Sequence, residues 1–316
     1  MNIVVGLFFG LTQVLASTSN SQCIQIVPGG AVEIFWMQVK RGAEDASKEL
    51  GYSIYYRGAK TTSDGKEQKR IVSIVERNGC KALILAPSAN YDDEVEKLDR
   101  KGIPVVFIDR RTGSTRLASL VATDNYSAGY KAGMYMAEKL GRGGRVVVLR
   151  LKKGVSSTDL REEGFIDAAT ASGLVIMDSP YIGDSVAEGR KIAVSILSKY
   201  SGKIDGVFSS NETTSSSLLL ALEKVKAQDK MVNIGFDISQ RLLDGLNKKV
   251  FTALVVQRPY RIGYIGVTTA VANIVNRGSV KFIDTGYIFL TPYNIKEKHM
   301  EEELKLNYPL LKNDVL

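Results

Sequence analysis

The residues of this sequence that could do chemistry are polar side chains at the ends of short apolar segments, together with one pair of adjacent aromatic residues. They are Phe35, Trp36, Asp109, Arg110, Arg161, Asn211, Asp237 and Gln257. Carboxylates accept hydrogen bonds and guanidinium groups donate them in pairs, so each hydroxyl of a polyhydroxylated ligand can find a charge-assisted partner. Flat aromatic side chains can cover the apolar C–H face of a sugar ring. The set therefore predicts a binding site for a sugar or another polyol.

The composition argues against catalysis and against a metal site. His299 is the one histidine among 316 residues, which excludes a histidine cluster for a metal and argues against acid–base catalysis by histidine. Two cysteines cannot form a four-cysteine zinc site. The sequence has no Gly-x-Ser-x-Gly elbow, no phosphate loop ending in Gly-Lys-Ser/Thr and no Asp-rich calcium loop. We expect no enzymatic activity, no cofactor and no metal ion.

The hydrophobic pattern predicts the elements that must position these side chains. From residue 23 onwards, short β-branched apolar runs alternate with segments of helical spacing, which is typical of β–α units. The predicted strands are 23–28, 52–57, 81–86, 104–108, 118–121, 145–150, 174–181, 204–208, 232–236, 252–256 and 286–291. The predicted helices are 35–50, 63–78, 91–101, 126–140, 158–172, 185–200, 212–226, 239–247 and 259–276. Runs such as 82–86 are apolar throughout, which indicates parallel strands covered by helices on both faces.

The fold class that follows is α/β, with two doubly wound parallel-sheet lobes divided near residues 123–127. Ligands of such sheets bind beyond the carboxyl ends of the strands, which is where the candidate residues stand. Helix 35–50 has an apolar stripe, made of Phe35, Val39, Ala43, Ala46 and Leu50. Asp124 precedes helix 126–140, and we expect it to cap that helix rather than bind a ligand.

The first residues predict export from the cytoplasm. Residues 3–16 form an apolar run that is shorter than the about 20 residues needed to cross a bilayer. We interpret it as a secretory signal peptide, cleaved after Ala16 or a few residues later. No lysine or arginine precedes the run, so a short membrane-associated leader or a misassigned start is the alternative. No later segment reaches about 18 apolar residues, and we expect a soluble mature chain in the periplasm or otherwise outside the cytoplasm.

The motifs, taken in order, resemble those of the periplasmic sugar-binding proteins of the type I fold, close to the ribose-binding group. The resemblance covers about residues 23–294. Its markers are Phe35-Trp36 with Lys40-Arg41-Gly42, Gly102-Ile103-Pro104-Val105 before Asp109-Arg110, Thr123-Asp124-Asn125, Arg161 with Gly164-Phe165, Ser210-Asn211-Glu212, Gly235-Phe236-Asp237, and Gln257-Arg258-Pro259. The resemblance implies two lobes joined by a three-segment hinge, with crossings near 123–127, 256–259 and 283–287.

The resemblance implies that each lobe is formed by separate segments of the chain. Residues 1–22 are the signal peptide and a disordered start, residues 23–125 with 258–285 form the N-terminal lobe, and residues 126–257 with 286–316 form the C-terminal lobe and tail. In the tail, segment 296–305 can form a charged helix. That helix either packs on the C-terminal lobe or contacts a partner.

The resemblance also implies a role for each candidate residue. Phe35 and Trp36 would stack on or abut the sugar ring. Hydroxyls would be held by Asp109 and Arg110 from the N-terminal lobe, and by Arg161, Asn211, Asp237 and Gln257 from the C-terminal lobe and the hinge. At two positions the chain departs from the family: Glu33 stands where asparagine is frequent, and Asp184 stands nearest to an expected aromatic residue. Both departures add a carboxylate, which suggests a ligand other than ribose, with more hydroxyls or with a cationic group.

The implied function is capture of a monosaccharide or related polyol and its delivery to an ABC import permease. The alternative is docking of the closed form on a membrane sensor kinase or chemoreceptor. We expect a monomer and no nucleic-acid partner. Repressors of the lactose-repressor type share the two-lobe core, but they need a helix-turn-helix of about 60 residues before the first strand. Here 22 residues precede that strand, and the formal charge of +8 is spread along predicted helices among acidic residues.

The two cysteines allow a disulfide. Cys23 begins the first predicted strand and Cys80 precedes the strand at 81–86. In a sheet of order 2-1-3 these strands are parallel neighbours, so both thiols lie at the same edge. An oxidising compartment would then allow a disulfide that closes a loop of about 57 residues and adds about 4 kcal/mol. Two unlinked thiols are the alternative.

Overall fold

The computed structural model describes residues 22–30, 33–59, 64–113, 119–227, 231–276 and 281–312. The predicted signal peptide therefore lies outside the described residues. The strands are β1 (Cys23–Val27), β2 (Ser53–Tyr56), β3 (Cys80–Leu85), β4 (Val105–Ile108), β5 (Ser119–Ala122), β6 (Arg145–Leu149), β7 (Val175–Asp178), β8 (Gly206–Ser209), β9 (Val232–Phe236), β10 (Ala253–Gln257), β11 (Lys281–Asp284) and β12 (Tyr287–Leu290). The helices are α1 (Ile34–Leu50), α2 (Gly65–Val72), α3 (Asp92–Arg100), α4 (Asn125–Leu140), α5 (Ser156–Ala171), α6 (Val186–Lys199), α7 (Glu212–Val225), α8 (Gln240–Asn247), α9 (Pro259–Val275) and α10 (Lys298–Asn307).

The strands form two six-stranded sheets, each the centre of one lobe. The first lobe has the strand order β11-β5-β4-β3-β1-β2, and the second has β12-β10-β9-β8-β6-β7. All neighbouring strands are parallel except β10 and β12, which are antiparallel. Apolar clusters cover both faces of each sheet, which is why strands such as β3 and β6 are apolar almost throughout. The predicted α/β class with two parallel-sheet lobes is confirmed.

The chain passes between the two sheets at three places. It leaves the first sheet after β5, leaves the second after β10, and passes from β11 to β12 through Thr285 and Gly286. Side chains tie these crossings together: the Asp284 carboxylate accepts hydrogen bonds from the backbone N–H groups of Asp124 and Gly286, both at 2.8 Å. The predicted domain boundaries, and the action of these crossings as a hinge, stay predictions.

Each lobe contains one pair of helices in close backbone contact, α1 with α9 and α4 with α5. Glycine makes both contacts possible: a Cβ on Gly263 would overlap the carbonyl oxygen of Val39, and a Cβ on Gly129 would overlap that of Arg161. The same pattern, Tyr-x-x-Gly-Tyr, surrounds both glycines, at 126–130 and at 260–264. This repeat was missed in the sequence, and it relates the two lobes.

Local differences from the predicted elements have simple causes. Helix α2 ends at Val72, six residues before its predicted end, because residues 73–79 form turns. Strand β11 was not predicted, since its exposed residues at the edge of the sheet lack a continuous apolar run. In α1 the buried stripe includes Trp36 rather than Phe35, and Leu50 is 41% exposed. Asp124 caps α4 as predicted, because its carboxylate accepts a hydrogen bond from the Ser127 N–H at 3.0 Å.

The tail packs on the second lobe. Leu304 of α10 and the following Tyr308 are buried in that lobe's apolar cluster. The Arg258 side chain, at the second crossing, donates a hydrogen bond from Nε to Glu303 of α10 at 2.8 Å.

In the first lobe, Cys23 and Cys80 are adjacent on β1 and β3 and are joined by a disulfide. Within the described residues, no helix has both the length and the hydropathy to cross a bilayer.

Candidate functional site

A cleft of about 540 Å³ lies between the carboxyl ends of the two sheets. All ten residues predicted from the sequence line it, although they come from seven separate segments of the chain. They are Glu33, Phe35, Trp36, Asp109, Arg110, Arg161, Asp184, Asn211, Asp237 and Gln257. The volume suits a small ligand, since ligand pockets commonly measure about 300–1,000 Å³. That these side chains bind a ligand stays a prediction; their convergence on one cleft is what the structure adds.

The first lobe contributes an aspartate–arginine pair at the end of β4. Asp109 has the left-handed backbone conformation, with φ of 65°, and its N–H donates to the carbonyl oxygen of Val121 at 3.0 Å. Few non-glycine residues adopt this conformation, and aspartate tolerates it better than most. The turn directs both side chains along the cleft edge of the sheet, where Arg110 Nε donates to Asp109 Oδ2 at 2.9 Å.

Two aromatic residues from the start of α1 form the wall beside this pair. The Phe35 and Trp36 rings meet edge to face with centroids 4.9 Å apart. Trp36 is only 4% exposed and belongs to the first lobe's core, while Phe35 is half-buried. The Arg110 guanidinium lies 5.9 Å from the centroid of the Trp36 ring. Phe35 therefore offers a ligand more free surface than Trp36, which mainly supports Arg110.

The second lobe contributes Asp237, at the end of β9. It too has the left-handed conformation, with φ of 66°, and its N–H donates to the carbonyl oxygen of Val255 at 2.8 Å. One carboxylate oxygen accepts from Gln257 Nε2 at 2.7 Å and the other accepts from the Glu212 N–H at 3.1 Å. Burial raises the pKa of Asp237, and the positive charge of Arg161, 3.7 Å away, opposes that rise.

Arg161 is fixed from several sides at the second turn of α5. Its side chain is 3% exposed. Nε donates to Asn125 Oδ1 at 2.7 Å, Nη1 donates to the carbonyl oxygen of Ser210 at 3.2 Å, and the guanidinium lies 3.9 Å from the centroid of the Phe236 ring. Its backbone is held against α4 at Gly129. A guanidinium held this way can donate to a ligand without first being ordered.

Asn211 serves α7 as well as the cleft. Its side-chain oxygen accepts from the Thr214 N–H at 3.0 Å, and the Asn211 N–H donates to Thr214 Oγ1 at 3.0 Å, which is a complete capping box. The NH₂ group of Asn211 takes no part in this cap and can serve a ligand while the cap remains. Gln257 shows the converse case: Oε1 is buried and has no hydrogen-bond partner among the described residues.

The remaining two predicted residues lie at the periphery of the cleft. Asp184 accepts a hydrogen bond from Lys152 Nζ at 2.8 Å, which lowers its pKa. Glu33 occupies the N-cap position of α1. The lobes also touch across the cleft: the Arg111 N–H donates to Ser156 Oγ, and Ser156 Oγ donates to the Arg111 carbonyl oxygen, both at 3.1 Å.

Two residues that support or line the cleft were missed as candidates. Glu162 is fully buried and accepts hydrogen bonds from Arg150, Ser210 and the Leu151 N–H, so it joins α5 to the ends of β6 and β8. Glu212 lines the cleft in the first turn of α7, where burial and the charges of Asp237 and Glu33 raise its pKa to about 7. The signal for Glu212 was its place directly after Asn211. No metal-ligand cluster of three or more His, Cys, Asp or Glu occurs within the described ranges.

The sequence matches one family profile, and the sequence and the fold are similar to those of known proteins. A family profile described as "Periplasmic binding protein domain" matches residues 24–278. The ribose import binding protein RbsB of Haemophilus influenzae is 30% identical over 260 residues, covering 81% of this chain and 87% of that protein. The periplasmic component of an ABC-type sugar transport system from Hahella chejuensis is 31% identical, with a TM-score of 0.79 and coverage of 85% and 99%. A carbohydrate transporter solute-binding protein from Agrobacterium radiobacter, solved with D-arabinose, is 27% identical, with a TM-score of 0.83 and coverage of 90% and 99%.

Proposed function

The chain belongs to the family of periplasmic binding protein domains, and from that premise we propose that it binds a monosaccharide or related polyol in the cleft and delivers it to an ABC import permease. Its relatives are sugar-binding components of transport systems and not enzymes, so the protein is a binding protein without a catalytic reaction. The ligand and the delivery step are the parts that are proposed.

The observation that carries the proposal is the meeting of two charged half-sites across one cleft. Asp109 and Arg110 reach it from the first lobe, and Arg161, Asp237 and Gln257 reach it from the second. Each half-site pairs a carboxylate with a guanidinium, so each can both accept from and donate to vicinal hydroxyls. The Phe35 ring supplies an apolar surface for the ring carbons.

Closure follows from this division of the site. A ligand held by both lobes makes its full set of contacts only when the lobes are together, so it stabilises the closed arrangement by that difference. The three crossings are the segments where backbone rotation would separate the lobes. The Ser156–Arg111 contact would break on opening, since it is a pair of hydrogen bonds between the two lobes.

The proposed location is the periplasm or an equivalent compartment outside the cytoplasmic membrane. The apolar run at residues 3–16 is the proposed signal peptide. A disulfide between Cys23 and Cys80 supports an oxidising compartment. The relatives named above belong to import or transport systems, and no observation favours a sensor as the partner, so the permease is the partner that we propose. We also propose that the chain acts as a monomer, with its lobes divided at the boundaries given by the sequence.

The experiment that tests the function is a thermal-shift screen, confirmed by calorimetry, of pentoses, hexoses, polyols and inositols at millimolar concentration. A ligand with micromolar affinity stabilises the folded protein by about 4 kcal/mol under these conditions. The Asp237→Asn variant should lose that stabilisation, because a carboxylate that is shared by three groups of the site is replaced. Asp205→Asn is the matched control, since Asp205 pairs with Arg145 at the other end of the second sheet. Absence of stabilisation by every sugar and polyol would contradict the proposal.

A further inference from the structure

The charge of the cleft differs from that of the whole chain. The chain has a formal charge of +8, with 42 Lys and Arg against 34 Asp and Glu. The described residues that line the cleft include five carboxylates and four cationic side chains. They are Glu33, Asp109, Asp184, Glu212 and Asp237, and Arg110, Arg111, Lys152 and Arg161. A basic protein thus lines its cleft with a small excess of acids.

Three of these carboxylates have a counter-charge beside them. Asp109 pairs with Arg110, Asp184 with Lys152, and Asp237 with Arg161. The carboxylate of Glu212, in contrast, makes no hydrogen bond or ion pair with any residue in the described part of the chain. The charged groups that dominate its surroundings are Asp237 and Glu33, and both are negative.

The second observation is an unused acceptor on the same side of the cleft. Gln257 is 3% exposed and donates from Nε2 to Asp237, yet its Oε1 has no partner among the described residues. A buried acceptor without a donor has lost its hydrogen bond to water and gained none in return, which is unfavourable. The Glu212 carboxylate and Gln257 Oε1 are therefore both acceptors close to Asp237, and a ligand that supplies hydrogen-bond donors would satisfy both.

An ammonium group satisfies this arrangement better than hydroxyls do. It has three N–H donors and no acceptor, and its charge offsets that of Glu212. We propose that the natural ligand is an amino sugar or amino polyol whose protonated amine is bound by Glu212 and Gln257. The inference rests on the proposed function, because it assumes that the cleft holds a sugar-like ligand.

The other charged groups around Glu212 are consistent with this choice. Arg161 on α5 also lines the cleft, and it is held by Asp237, Asn125 and Ser210. Across the cleft, Arg110 is engaged by Asp109. The tail contributes Tyr308, whose pKa is raised well above its ordinary value by burial, so it stays neutral and cannot compensate Glu212. Burial, with the negative charges of Asp237 and Glu33, raises the pKa of Glu212 to about 7, although its place in the first turn of α7 favours the ionised form.

The test compares neutral and amino members of matched pairs by calorimetry at pH 7.5. The pairs are D-glucose with D-glucosamine, D-galactose with D-galactosamine, D-mannose with D-mannosamine, and scyllo-inositol with scyllo-inosamine. We expect at least one amino member to bind tenfold or more tighter than its neutral partner. That ratio should fall at least tenfold in Glu212→Gln and persist in Glu223→Gln, which removes an exposed carboxylate from the same helix. In the wild-type protein the ratio should also fall at pH 5.5, where Glu212 is protonated.

The outcomes separate this inference from the proposed function. If neutral sugars bind and no amino member binds tighter than its neutral partner, the inference that the ligand carries an amine is wrong, and the proposed function stands. An amine preference that is unchanged by both Glu212→Gln and the lower pH would also overturn the assignment to Glu212. If neither class binds, the inference and the proposed function both fail.

Discussion

Asp109 and Asp237 occupy equivalent places in the two lobes but are held in different ways. Each follows a strand at the cleft edge, each has φ near 65°, and each donates its N–H to the next strand of its sheet. Asp109 is paired through the residue that follows it, Arg110. Asp237 is bound by Gln257, by the Glu212 N–H and by Arg161, which come from three separate elements.

This difference indicates how the two halves of the site are built. The second lobe links its binding groups to α5, α7 and β10, so its half-site is ordered by the fold itself. The first lobe relies on one turn and two consecutive residues. A substitution in the second half-site should therefore destabilise the folded protein as well as the complex, whereas one in the first should mainly affect the complex.

The largest effect should come from Arg161→Met. It leaves Asp237 without its cation and the acceptors on Asn125 and Ser210 without their donor, and the loss of one partner from a buried ion pair costs about 3–5 kcal/mol. Arg110→Met is the matched variant in the first lobe, where the side chain is 15% exposed, and we expect about 1–2 kcal/mol. Urea unfolding without ligand measures both. Equal losses of stability would contradict the difference between the lobes.

The disulfide provides a second test of the difference between the lobes, because both cysteines lie in the first lobe. Cys23→Ser with Cys80→Ser removes a crosslink between residues 57 apart and should lower the free energy of unfolding by about 4 kcal/mol. The cysteines are remote from the cleft residues, so the affinity for the best ligand should change less than threefold. Denaturant unfolding and calorimetry of the double variant measure the two effects. A large loss of affinity at temperatures where the variant is folded would show that the first half-site depends on this crosslink.

Much of the fold could be predicted from the sequence because its signals are local. Buried parallel strands are short apolar runs, and helices such as α1 end at a glycine with positive φ, so alternation alone gave the α/β class. The family resemblance is confirmed for the same reason, since its motifs follow the strands in order. Strand β11 was not predicted because an exposed edge strand has no such apolar run. The repeated Tyr-x-x-Gly-Tyr pattern was missed because its glycine serves a contact between two helices, which a single segment of sequence does not reveal.

The candidate site was predictable where position after a strand is enough to place a side chain. Asp109, Asp237 and Gln257 are of this kind, and the structure brings all three to the cleft. Pairing was not predictable, because it depends on distances between segments far apart in the chain. Asp184 is neutralised by Lys152, 32 residues away, whereas Glu212 has no such partner, and no local pattern distinguishes these two carboxylates.

A smaller effect should come from alanine at the two helix contacts. Gly129→Ala pushes a Cβ against the Arg161 carbonyl, and Gly263→Ala pushes one against that of Val39. Both variants should lose about 3 kcal/mol, the upper end for overpacking, because backbone cannot move as side chains do. Only Gly129→Ala displaces a residue of the half-site directly, so it should weaken ligand binding at least tenfold more than Gly263→Ala. Calorimetry on both folded variants measures this, and equal affinities would show that α5 tolerates displacement at Arg161.

The smallest effect is the pH dependence of the ligand-free protein between pH 5 and 8. The pKa of Glu212 rises from about 4.5 in the unfolded chain to about 7 in the folded protein, so between these values the folded state keeps a proton that the unfolded state has lost. The free energy of unfolding should therefore fall as the pH rises through this window, by on the order of 2 kcal/mol after allowance for partial solvent exposure. Burial raises the pKa of Asp237 as well, which acts in the same direction. Carboxylates whose pKa is lowered by an ion pair, such as Asp205 beside Arg145, titrate below this window and do not obscure it.

Urea midpoints at pH 5 and pH 8 measure how the free energy of unfolding changes with pH. The Glu212→Gln variant should flatten this change and the Glu223→Gln variant should keep it. Equal changes in all three proteins would mean that water or a rotamer change stabilises the ionised Glu212 in the open cleft.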